Sequence, residues 1–214
     1  MNTNIIGIIV SVVFIFFIIF ISSLVSKKHS EVSRKIVHIG VCNWWIIVML
    51  LFDNVIYASA VPVLFVIVNY LSYKKDIFKS MERDDKKSLG TVYYAISCLV
   101  LTLFSFLWFN DKMHAGIGLF AMGYGDGLAA LIGTRFKSKE FKIFGNKKSL
   151  LGCITMFVVC MIVISITTLC FGQFSILKVV AISLIATIIE ALSPMGLDNL
   201  TVPILTTIIS YYMF

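Results

Sequence analysis

Two carboxylates sit where a carboxylate is expensive. Asp126 lies in Gly123-Tyr124-Gly125-Asp126-Gly127, inside a long apolar run, and Glu190 follows the apolar stretch 182–189. A charge at such a depth in hydrocarbon costs about 2.5 kcal/mol or more unless it is paired, hydrated or metal-bound. The glycines around Asp126 remove side chains and weaken a helix, so the backbone can open and admit a ligand or ion beside the acid. Gly123 and Gly127, four apart, also fit close packing of small residues between membrane helices. The competing account of both acids is structural, as a salt bridge or a protonated acid packed between helices. The sequence holds no HExxH, no GxSxG and no Cys/His ligand cluster. A metal here is therefore a hard, oxygen-bound ion such as magnesium, held by carboxylates and substrate phosphates. A P-loop is excluded, because Lys148-Ser149 lacks both of its glycines. Gly116-Ile-Gly118-Leu-Phe-Ala121 matches a dinucleotide fingerprint on paper, yet no strand precedes it and it falls in an apolar span.

The elements that must carry these residues are membrane helices. The chain has 214 residues, 59% hydrophobic and 14% charged, with 18 Phe and 3 Pro. That is too apolar for a soluble domain and long enough for roughly seven or eight spans of about 20 residues. Apolar runs cover residues 5–21, 37–52, 55–73, 91–109, 115–133, 150–171, 176–193 and 200–214, of which the second and eighth are short enough to be re-entrant or interfacial. Sixteen of the 18 Lys and Arg fall in the clusters 27–35, 74–87 and 135–148, leaving Lys112 and Lys178 for the other side. Placing all three clusters in the cytoplasm puts both termini outside, which requires an even number of spans. The first run has no basic stretch before it and no small-residue cleavage site, so it reads as a retained anchor. The fold expected is an all-α polytopic integral membrane protein of about eight transmembrane helices, seven also being admissible. It forms a single membrane domain over 1–214, with 1–30 as anchor span and 31–205 as motif core.

A net charge of +7 flanks the spans rather than forming one basic face. Orientation and anionic headgroups explain it without nucleic acid, and a phosphate-bearing substrate is a second use. Cys42, Cys98, Cys153, Cys160 and Cys170 lie in or beside apolar runs with no CxxC pair and read as packing residues. The second basic cluster mixes acids with bases from Glu82 to Lys87, more than topology requires, although a solvated turn would look alike.

Five segments in order carry a resemblance. They are Arg34-Lys35-Ile-Val-His38-Ile-Gly40, then Glu82-Arg83-Asp84-Asp85-Lys86-Lys87-Ser88-Leu-Gly90-Thr91, then Gly125-Asp126-Gly127-Leu-Ala-Ala-Leu-Ile-Gly133, then Lys147-Lys148-Ser149-Leu-Leu-Gly152, and last Glu190-Ala-Leu-Ser193 with Asp198-Asn199-Leu-Thr-Val-Pro203. Over residues 31–205 the chain resembles the phytol kinase and dolichol kinase family, and more distantly the phosphatidate cytidylyltransferases. The resemblance implies a polytopic enzyme that phosphorylates a long-chain isoprenoid alcohol, typically with CTP as donor. One departure is Leu151, where the family usually carries an acid.

Phosphoryl transfer needs cations and metal to neutralise a triphosphate and an alcohol held in line. On the resemblance, Asp126, His38, Lys148 and Asp198 are the residues expected at the reacting atoms. His38, one helical turn from Arg34, would take the alcohol proton or contact phosphate, or else pack by hydrogen bonding. Arg135, Lys147, Lys148 and Ser149 resemble a triphosphate cradle. Arg34, Lys35, Glu82, Arg83, Asp84, Lys87, Ser88, Gly125, Gly127 and Asn199 complete the substrate and nucleotide surface. Asp126 and Asp198, with Glu190 third, are the expected Mg2+ ligands. The partners are a lipid alcohol from the bilayer and a nucleoside triphosphate, with a homodimer left open and the site on the cytoplasmic side. Two other readings stand beside this one: a CDP-lipid synthase, which would release pyrophosphate, and a small lipid or ion transporter using Asp126 and Glu190 as a relay. Polar motifs confined to one face argue against transport.

Overall fold

The computed structural model describes residues 2–26, 30–75, 89–143, 146–194 and 196–214. Among the described residues helices dominate, and six spans are long and apolar enough to cross a membrane: Thr3–Val25, Glu31–Leu51, Val55–Lys75, Gly90–Leu107, Met113–Arg135 and Leu150–Phe171. The protein is an integral membrane protein. Its chain divides into two compact units, Met1–Lys112 and Met113–Phe214.

In the first unit α1 (Thr3–Ser26) packs against α2 (Ser30–Cys42), α3 (Trp44–Leu51) and α4 (Val55–Lys75), and α4 packs against α5 (Gly90–Leu107). Helices α2 and α3 form one span broken at Asn43, whose side-chain amide donates to the Ile39 and Gly40 carbonyls at 3.0 and 3.3 Å. This span starts six residues before the expected start at residue 37. The extra residues carry polar groups turned inward, with Ser33 and Lys35 both buried, so hydropathy along the sequence understates the helix. Trp44 and Trp45 are anchored rather than lipid-facing. Their indole N–H groups donate to the Ser11 hydroxyl and the Lys112 carbonyl, each at 2.8 Å.

In the second unit, α6 (Met113–Phe120), a π-helical turn (Ala121–Asp126) and α7 (Gly127–Arg135) make one continuous span. The basic segment after it forms an antiparallel hairpin, β1 (Glu140–Ile143) with β2 (Asn146–Ser149), an addition to the all-helical expectation. Then come α8 (Leu150–Phe171), α9 (Ile176–Leu192) and α10 (Asp198–Met213). With 17 and 16 residues, α9 and α10 reach about 24–26 Å at 1.5 Å per residue, somewhat short of a hydrocarbon core of about 30 Å. The π turn packs against α8, α9 and α10. Helices α7 and α8 meet where only glycine fits, since a Cβ on Gly133 would stand 2.6 Å from the Ser149 hydroxyl.

Candidate active site

Asp126 closes the π-helical turn, and its neighbours explain how the chain tolerates that geometry. Widening a helix by one residue per turn is rare and concentrates at functional sites. Here the widened turn reads Ala121-Met-Gly-Tyr-Gly-Asp126, and a Cβ on Gly125 would meet Met156 Sδ at 2.5 Å, so the backbone lies directly on α8. Asp126 itself is buried. The dinucleotide-like string has a different use. It runs through α6, where Gly118 lies against the Pro203 carbonyl and Thr207 hydroxyl of α10, so its glycine serves helix contact.

Hairpin geometry separates two adjacent lysines. Side chains alternate across a strand, so Lys147 points to solvent with its side chain 70% exposed and only a loose approach to Glu140 at 3.9 Å. Lys148 points inward. Its ammonium is ion-paired with the Glu190 carboxylate and also donates to the Glu190 backbone carbonyl at 3.1 Å. Of the expected site residues in this unit, these two are joined directly by their side chains. Ser149 N-caps α8, accepting from Gly152 N at 3.1 Å. Leu150 N donates to the Lys139 carbonyl at 2.9 Å and Leu151 N to the Ser138 hydroxyl at 3.3 Å. The chain itself therefore takes these first amides of α8. Arg135, in the last turn of α7, is exposed.

The start of α10 supplies oxygens. Asp198 Oδ1 accepts from Asn199 N at 2.9 Å. The Asn199 amide donates to the Gly196 carbonyl at 3.4 Å, while its Oδ1 is buried and meets no partner among the described residues. Pro203 has no N–H to return to the Asn199 carbonyl one turn back. Among the described residues no three His, Cys, Asp or Glu side chains converge on a point, so Asp126, Glu190 and Asp198 do not form a ready three-acid cage.

In the first unit Arg34 is held by Glu31, three residues before it, at 2.6 and 3.3 Å. The sequence reading missed Glu31, although the spacing of an acid and a base three apart on a helix is a legible signal. Lys35 is buried. His38 is buried with its ring edge-on to Tyr94 at 5.2 Å, and the Tyr94 hydroxyl donates to the His38 carbonyl at 3.0 Å. Nothing local in the sequence announces Tyr94 or Ser138. Glu82, Arg83, Asp84, Lys87 and Ser88 lie outside the described residues.

Comparison with known proteins turns this geometry into a family. No family model matches the chain and no solved structure matches it. A phytol kinase from Synechocystis sp. is 34% identical over 199 residues, covering 87% of this chain and 81% of that protein. A probable chloroplastic phytol kinase from Triticum aestivum is 27% identical over 208 residues, with 86% and 68% covered. A probable chloroplastic phytol kinase from Glycine max is 31% identical over 208 residues, with 85% and 67% covered. These relatives lend no support to the cytidylyltransferase likeness. With about a third of the aligned residues identical across four fifths of a phytol kinase, the chain belongs to the phytol kinase family and is a phosphotransferase with an alcohol acceptor.

Proposed function

We propose that this enzyme transfers the γ-phosphate of CTP to a long-chain isoprenoid alcohol of the phytol or polyprenol type, at the cytoplasmic boundary of the membrane. The observation that carries the site assignment is Asp126, buried at the end of a π-helical turn that packs against α8, α9 and α10; the relatives supply the reaction class. The alcohol oxygen attacks the γ-phosphorus, the bond to the β-bridging oxygen breaks, and CDP leaves. The alcohol proton goes to a general base. Exposed Lys147 and Arg135 meet the triphosphate first, and Lys148 bears on it from the buried side. An all-oxygen donor set suits magnesium: two carboxylates, Asp126 and Asp198, and the unpartnered Asn199 Oδ1. Magnesium bound by these residues would neutralise triphosphate charge. The basic clusters support the cytoplasmic placement.

The test uses purified protein with CTP labelled on the γ-phosphate or on the base, presented with phytol, polyprenol, dolichol and phosphatidate. The expected products are a γ-labelled lipid monophosphate and CDP. Base label in a lipid would replace the kinase reading by a CDP-lipid synthase, and label taken from ATP in preference would overturn the donor. Asp126→Asn keeps shape and removes charge, so it should fold and lose turnover by about 100-fold or more. Near wild-type turnover of that variant would make Asp126 a packing residue.

A further inference from the structure

Glu190 has two claims on it: ligand to magnesium, by its carboxylate chemistry, or partner to Lys148, by its position. The geometry favours the second and gives it a purpose. Lys148 is fixed at both ends. Its Cα is pinned by the hairpin register, opposite Phe141, and by the Ser149 cap that starts α8 one residue later. Its ammonium is pinned by a single residue, with one proton on the Glu190 carboxylate and one on the Glu190 backbone carbonyl. An ammonium has three protons. The third has its direction set by the other two, and the Lys148 side chain, 17% exposed against 7% for Glu190, is the member of the pair that still reaches outward.

A purely structural account explains the carbonyl contact, since a cation at a helix C-terminus bonds its last carbonyls and suits the dipole. It does not explain the carboxylate. Burying an ion pair costs more desolvation than burying apolar side chains of the same size, so the pair is a poor way to gain stability. What the carboxylate adds is orientation of a long, flexible side chain.

We propose that Glu190 is a positioning residue that aims the Lys148 ammonium at the phosphates of the nucleotide, rather than a magnesium ligand. This rests on the kinase reading above. A lysine aimed before the nucleotide arrives does not have to be ordered during transfer, and its charge counts most as negative charge moves onto the departing diphosphate. Glu190→Gln keeps the backbone carbonyl bond and the side-chain shape but loosens the aim. Misplacing a catalytic cation by about 1 Å costs on the order of 100-fold in rate.

The experiment is a double-mutant cycle on kcat and KM for the nucleotide, with a magnesium titration at each corner: wild type, Glu190→Gln, Lys148→Met and the pair together, in the full chain, normalised to folded protein. The expected result is a fall of about 10- to 100-fold in kcat for Glu190→Gln with little change in KM and an unchanged magnesium midpoint. The two substitutions together should cost no more than Lys148→Met alone. Glu190→Asp, which keeps the charge but shortens the reach, should restore part of kcat. A raised magnesium midpoint in Glu190→Gln with losses that multiply across the cycle would make Glu190 a metal ligand and overturn the proposal. Wild-type kcat in Glu190→Gln would overturn it in favour of a structural pair. Wild-type protein that takes label from ATP and not from CTP overturns the donor assignment alone, and the same cycle run with ATP then decides the role of Glu190. Turnover with neither nucleotide overturns both.

Discussion

Each compact unit has a lysine that reaches across the chain to the C-terminal end of a helix, and the two do it differently. Lys112 in the first unit donates to the Val48 and Phe52 carbonyls at the end of α3, 64 and 60 residues away. Lys148 in the second donates to the Glu190 carbonyl in the last turns of α9, 42 residues away. Both donate to carbonyls at a helix end, where the Val48 and Glu190 carbonyls also accept from the Phe52 and Ser193 amides at 3.4 and 3.2 Å. Only Lys148 also takes a buried carboxylate from the residue it caps. Lys112 has Asp53 within electrostatic reach, and one oxygen of that carboxylate accepts from the Asn4 side-chain amide at 2.6 Å. Bonding to helix-end carbonyls therefore does not require a carboxylate on the same residue, and this is the contrast on which the role proposed for Glu190 turns.

The largest effect expected from this difference is in Lys148→Met. Removing one member of a buried pair strands the other, and the cost is about 3–5 kcal/mol. Glu190, 7% exposed, then stays buried without that cation, so thermal stability in detergent should fall sharply. Adding Glu190→Gln should recover much of that loss by removing the stranded charge. If Lys148→Met is no less stable than wild type, the pair is solvated and the contrast with Lys112 disappears.

How much of this could be read from the chain follows from the range of each interaction. Span positions were legible because residue-by-residue apolarity reports lipid contact, and residues 55–73 and 150–171 fall close to α4 and α8. The second span starts earlier than its hydropathy suggests because Ser33 and Lys35 face protein instead of lipid, a distinction hydropathy does not make. Glycines marked Asp126, but they do not specify a π turn, since the same residues are compatible with a plain α-helix. The hairpin was lost under its own charge. Glu140-Phe-Lys-Ile143 alternates polar and apolar as an exposed strand does, yet four residues among lysines read first as a topogenic loop. Lys148 and Glu190 were each singled out, and their pairing was not, because 42 residues of chain carry no local signal of contact. Arg34 and Glu31 show the converse, a pair fixed by three residues of helix.

A smaller effect is expected of Lys112→Met. This substitution removes a partly exposed cap and strands no buried acid, so it should cost about 1 kcal/mol. Because Lys112 is not among the residues proposed for phosphoryl transfer, turnover per folded molecule should be unchanged. The comparison to make is the loss of stability beside that of Lys148→Met under one set of conditions. Equal losses would show that the carboxylate at Glu190 contributes nothing that carbonyls alone do not.

The smallest effect is a pH dependence carried by Lys112. Burial pushes its ammonium below the ordinary lysine value of 10.5, and the Asp53 carboxylate offsets part of that push. Between the lowered native value and 10.5 the unfolded chain binds more protons than the folded one, so stability rises with pH across this window. Below the window both states hold the proton and the full desolvation penalty is present. Rising pH relieves it, and the neutral amine still has hydrogens to donate to the α3 carbonyls. Solvent around the exposed part of the side chain keeps the effect modest. Measured as the difference in unfolding midpoint between wild type and Lys112→Met, the wild type should gain relative stability as pH approaches 10.5. Asp53→Asn should widen the window, because the charge that supports the ammonium is gone while burial remains. A wild type that loses relative stability over that range would mean that the Asp53 attraction, not burial, governs Lys112, and the two helix-end lysines would then both be held by carboxylates.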